Sequence, residues 1–312
     1  MRFDARHSCP LLCLVIYGLL LLCRSPRFAE AVGQGNYLTR IILQLLIFVI
    51  PTIIYCRLKG PGYTATLNFR PVGPAAIGIT LLAILTMIGG SLLIRMGQIA
   101  LLVQGDVSFV GSYPVRLEGT MDAVYAALTF ALLPAVCEEL VFRSVLFTEY
   151  TRGGWGCVTV TGASALLFAM MHFDPAQFPV YLLAGVVLTI LTYVTQSVLP
   201  AILCHFLYNL YGIFGETALL SLLRRPQNAV FLFFFLLGLF LMLVILFLGE
   251  CERIFGVYGD CDRPTPAYVT EREKRFPKLS SRLIHATAVP LSPFFILCIV
   301  TFVMMTLAVK GA

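Results

Sequence analysis

The sequence predicts an all-α protein: a polytopic bundle of about eight or nine transmembrane helices, with its chemistry carried by the central ones. Three observations predict it. The 312 residues are 59% hydrophobic. Only 12% are charged, about half the share usual in a soluble domain. Apolar runs of membrane-crossing length recur from one end of the chain to the other, and the mean hydropathy is +0.90.

Taken in order, the apolar runs fall at roughly 9–23, 37–56, 75–94, 120–149, 157–173, 178–195, 198–214, 229–248 and 288–309. The first is short for a crossing, which leaves eight spans as the alternative. Its basic flank, short apolar core and the later Ala29-Glu30-Ala31 also fit a cleaved signal peptide. Arg24 and Arg27 separate the core from that weak site, so a retained span is the expectation. The fourth run is long for one crossing and is expected to tilt, or to break near Pro134. Three regions follow: N-terminal membrane helices over 1–119, a core over 120–215, and C-terminal helices over 216–312 with a basic polar loop at about 249–287.

The net charge of +6 needs no nucleic-acid partner. In a membrane chain, Lys and Arg mark loops held on the cytoplasmic side. With nine spans their distribution places the N-terminus inside and the C-terminus outside. Most of the ten cysteines sit inside apolar runs, as small buried hydrophobes do, and no CxxC occurs. Arg95 and Glu216 fall near span ends and read as interfacial.

Ionisable groups inside a membrane run are costly, and each calls for a partner or a use. In Pro134-Ala-Val-Cys-Glu138-Glu139-Leu-Val-Phe-Arg143, Glu139 and Arg143 are four apart on one helix face, with the carboxylate leading, which is the favourable order for an ion pair. Glu138 is five from the arginine and points elsewhere. One paired and one free glutamate, with different proton affinities, is what acid–base chemistry requires. A cluster that only fixes helix packing is the competing reading. Phe168 and His172 share a face at the end of the next run, where the ring can wall the imidazole into a dry pocket. His205 and Asn209 share a face two runs later, and both can donate to one developing oxyanion. Interhelical glue is the competing use for each.

These residues spell EELVFR, FAMMH and HFLYN, in that order. They resemble the EExxxR, FxxxH and HxxxN motifs of the CPBP intramembrane protease family, the bacterial relatives of the CAAX prenyl endopeptidase. The resemblance covers roughly residues 120–215. It implies a peptide hydrolase in which Glu138 activates a water as general base and His172 helps to hold it. It assigns the oxyanion to His205 and Asn209, and the supporting shell to Glu139 and Arg143. Glu138, His172 and His205 also compose a possible His2Glu zinc site, but HExxH is absent, and a site without cofactor is the expectation. The expected partners are a membrane-associated peptide or protein substrate and the lipid bilayer. The expected location is a cell membrane, bacterial by the resemblance. Two other functions remain open: a scaffold or immunity-type protein on the same fold, and a transporter relaying protons through the Glu/His cluster.

Overall fold

The computed structural model describes residues 4–25, 28, 37–101, 119–216, 219, 229–260 and 287–310. Most of these residues are helical, with no strand among them. The helices are α1 (Ala5–Arg24), α2 (37–59), α3 (Ala75–Leu101), α4 (120–152), α5 (Cys157–Met171), α6 (Phe178–Thr195), α7 (Leu199–Phe214), α8 (Ala229–Asp260) and α9 (Pro293–Lys310). Each apolar run of the sequence has become one helix. Six are long and apolar enough to cross a membrane, and α5, α7 and α9 contain shorter apolar stretches. The chain is an integral membrane protein. α1 has 20 residues and is no short fragment; Cys9, Cys13, Ile16 and Tyr17 on it are completely buried.

α4 does not break at Pro134. It runs unbroken and widens instead, with π-helical turns at Ala127–Leu132 and Leu140–Leu146 on either side of Leu133–Glu139. A proline has no N–H and its ring crowds the carbonyl one turn back. The wider π turn just upstream accommodates both defects. α2 repeats the pattern, with a π turn at Leu45–Val49 immediately ahead of Pro51. At the ordinary helical rise, 33 residues would reach roughly 50 Å, well beyond a hydrocarbon core of about 30 Å. The far end of α4 is correspondingly polar. Glu149 pairs there with Lys59 at 2.5 Å, and Lys59 also reaches Ser8 on α1.

α3 packs against α6, α7 and α8, while α5 lies along α6. The α5–α6 contact depends on Gly185. A methyl group there would sit 2.8 Å from the Ala165 Cα, so the two backbones approach only because no side chain intervenes. α1 covers α9 on one side and touches α2, α4 and α5 on the other. The C-terminal ends of α1, α3, α5 and α7 gather on one face of the bundle. There Arg24 contacts His172, Gln98 contacts Ala176, and Arg95 pairs with Glu216 at 2.7 Å.

Arg95 and Glu216, near the ends of α3 and α7, are both buried and pair with each other. α8 continues to Asp260, so the first part of the polar insert is helical, and Cys251 in it is buried. The rest of the basic loop lies outside the described residues.

The close α5–α6 contact generates a prediction. Gly185→Ala should force the helices apart and lower stability by about 1–3 kcal/mol, the usual cost of overpacking. Thermal unfolding of the detergent-solubilised protein measures it, with a clear fall in Tm expected.

Candidate active site

The site is assembled by α4, α5 and α7. On α4, Glu139 and Arg143 are both fully buried and form the expected ion pair, Nη1 to Oε1 at 2.7 Å. The guanidinium reaches further and donates from Nη2 to the Gly185 carbonyl at 3.1 Å. The same Glu139 Oε1 lies 2.8 Å from His205 Nδ1 on α7. One carboxylate oxygen therefore holds a cation from its own helix and an imidazole from another.

Glu138 points to a different set of groups. Its Oε2 lies 4.0 Å from His172 Nε2 and 4.0 Å from His205 Nε2. Those separations are too long for direct hydrogen bonds and fit one bridging oxygen. The same Oε2 is buried and makes no hydrogen bond among the described residues. Three side chains from three helices thus converge on one small space.

The histidine tautomers follow from their other contacts. His172 Nδ1 lies 3.0 Å from the Phe168 carbonyl, which can only accept, so Nδ1 carries the proton. His205 Nδ1 faces a carboxylate and donates likewise. In their neutral forms both rings therefore turn an Nε2 lone pair toward Glu138. A water between them would find acceptors for both of its protons.

Phe168 separates the two halves of the site. Its ring stands edge-on to His172 at 5.1 Å and to His205 at 5.8 Å. The Arg143 guanidinium lies over it at 4.6 Å, within cation–π range. The ring thus shields the buried arginine from the space beside Glu138. Asn209 is placed less decisively. It lies one turn beyond His205, and its Nδ2 donates to the Ala131 carbonyl at 3.4 Å, a long bond.

Three residues complete the site that the motifs do not name. Tyr181 on α6 stacks on His172, with centroids 3.7 Å apart and planes 15° from parallel. Gly185 supplies the carbonyl for Arg143. Arg24 on α1 donates to the backbone carbonyl of His172 at 3.0 Å. Each acts across helices, so spacing within a single helix carries no trace of it.

The donor set fits zinc poorly. Ligands at about 2.0–2.2 Å from a tetrahedral zinc lie roughly 3.3–3.6 Å from one another, closer than Glu138 lies to either imidazole. Among the described residues no group of three His, Cys, Asp or Glu side chains is arranged to hold a metal ion.

Residues 120–211 match the family model of the type II CAAX prenyl endopeptidase Rce1-like proteins. The matched segment is similar to that family over less than a third of the chain, and it contains all three motifs. The activity in that family's description is prenyl endopeptidase. No curated protein and no solved structure matches the chain.

The two glutamates should respond differently to substitution. Glu139→Ala leaves a fully buried arginine without its counter-charge and should cost about 3–5 kcal/mol. Glu138→Gln removes no ion pair within hydrogen-bond distance and should unfold at nearly the wild-type temperature. Thermal melts of the two purified variants decide it, and equal losses would contradict the separation of roles.

Proposed function

We propose that the protein is an intramembrane endopeptidase that hydrolyses a peptide bond near the membrane surface with a water activated by Glu138. The observation that carries this reading is the convergence of the Glu138 carboxylate with the Nε2 atoms of His172 and His205. A buried carboxylate oxygen with no hydrogen bond, faced by two imidazoles at bridging distance, suits a water held for attack.

The steps balance with these groups alone. Glu138 takes one proton from the water while the His172 Nε2 lone pair accepts the hydrogen bond of the other. The water oxygen forms a bond to the scissile carbonyl carbon, and the carbonyl π electrons move onto its oxygen. To donate to that oxyanion from Nε2, His205 must carry its second proton; the Glu139 carboxylate at Nδ1 is the counter-charge that form needs. Asn209 adds a donor once its long bond to Ala131 is exchanged for the substrate. Collapse of the intermediate breaks the C–N bond, and Glu138 returns its proton to the leaving amine. Glu139, Arg143 and Phe168 touch no reacting atom and hold the geometry. No step passes through a metal.

The position of His172 supports cleavage near the surface. It caps the end of α5 and is half-buried, whereas His205 lies deeper, within α7. The substrate class follows from the Rce1-like domain: a peptide or protein tail presented at the membrane.

Glu138→Gln keeps the shape of the side chain and removes the base. Cleavage of membrane peptides should fall about 10²–10⁴-fold, the usual contribution of a positioned general base. Comparing membrane-peptide profiles of cells carrying wild type or Glu138→Gln measures it. Identical profiles would leave the scaffold reading in place. A chelator should leave the wild-type activity intact; loss on chelation with rescue by zinc would replace the water mechanism with a metal-assisted one.

A further inference from the structure

The end of α5 is held from outside the Rce1-like segment. Two side chains of α1 donate to carbonyls there, one near the last turn of α5 and one on its C-cap residue. Tyr17 donates its hydroxyl to the Leu167 carbonyl at 2.5 Å, and Arg24 donates to the His172 carbonyl at 3.0 Å. Tyr17 and Arg24 are seven residues apart, about two turns, so they lie on one face of α1. The carbonyls they grip bracket Phe168 and His172.

The residue after His172 is strained. Phe173 has φ +50°, in the left-handed region that a bulky side chain rarely occupies. It persists only where its surroundings hold it, and α1 supplies them. The Phe173 ring meets Tyr17 edge-on at 5.4 Å, and the Arg24 guanidinium lies 5.5 Å from its centroid. Beyond it, Asp174 Oδ1 accepts from the Ala176 and Gln177 amides in the turn that leads into α6, which carries the Tyr181 stacked on His172.

The geometry points to α1 as a clamp on the His172 turn, with Arg24 and Tyr17 as positioning residues for the imidazole. Without the clamp Phe173 relaxes toward ordinary backbone angles, the end of α5 frays, and Nε2 swings out of reach of the space beside Glu138. The consequence for cleavage rests on the proteolytic function proposed above; the clamp itself does not.

Two measurements on the full-length protein keep these apart. The first is hydrogen–deuterium exchange over residues 167–178. Arg24→Met and Tyr17→Phe should each raise it at least fivefold while the rest of α5 and α6 stays unchanged. Arg24→Lys, which can still donate to a carbonyl, should remain near wild type. The second is turnover of a fluorogenic farnesylated CAAX-type peptide in liposomes. Arg24→Met should lower kcat about tenfold with KM within twofold, and Arg24→Lys should recover most of the loss. Exchange within twofold of wild type in both variants overturns the clamp. Raised exchange with unchanged kcat overturns the positioning role. Raised exchange in a protein whose wild type and Glu138→Gln form both leave membrane peptides uncut supports the clamp and removes the proteolytic function instead. Tyr17→Phe deletes a single oxygen, so it reports even if Arg24→Met fails to fold.

Discussion

The site depends on one oxygen atom, Glu139 Oε1, deep inside the bundle. It accepts from Arg143 on its own helix and from His205 on another, at 2.7 and 2.8 Å. Arg143 extends the connection to the Gly185 carbonyl on α6. A carboxylate and a guanidinium completely removed from water are individually very costly, and only their mutual attraction and the added hydrogen bonds make them tolerable. That cost has a structural use. Each group is acceptable in one arrangement, so the network admits a single relative placement of α4, α6 and α7. The freedom that Glu138 needs in order to exchange a proton is possible because its neighbour has none.

Around that network the packing serves the same end. Gly185 brings α6 so close to α5 that a methyl group would collide with Ala165. Phe168 fills the corner between the arginine and the two imidazoles. Tyr181 lies flat on His172, so that ring is held by a stacked face, by an edge and by its own Nδ1 hydrogen bond. Among the described residues, His205 has Glu139 as its one charged partner within hydrogen-bond distance. The two histidines are therefore restrained by different physics, one mainly by aromatic contact and the other by a salt-bridged carboxylate.

Much of the fold was legible in the sequence because a bilayer leaves little choice. Backbone polar groups in hydrocarbon must be satisfied within the segment, so each long apolar run became a helix. The Glu139–Arg143 pair was legible for an equally local reason, the i,i+4 rule. What could not be read were the contacts joining helices. Arg24, Tyr181 and Gly185 are ordinary residues in their own segments, and their importance lies in what faces them. Spacing along the chain put Arg95 and Glu216 near span ends, but it carried no sign that each would be buried against the other. Asn209 was read as a ready oxyanion donor, yet it spends a hydrogen bond on Ala131, a backbone carbonyl no pattern would single out. The division of labour between Glu138 and Glu139 was inferred from spacing within one helix, and the structure adds the partners from the others.

The π turn at Leu140–Leu146 has one more consequence. In an unbroken α-helix, eleven residues advance by about 1100°, three turns and roughly 20° over. Glu149 would then share an azimuth with Glu138, and both acids would face the same neighbours. The wider turn absorbs about one extra residue and shifts the phase of everything that follows it. Glu138 looks toward the imidazoles of α5 and α7, while Glu149 looks toward Lys59 on α2. The bulge acts as a rotary coupling within one helix, so the residue count between the two acids sets which neighbours each one meets.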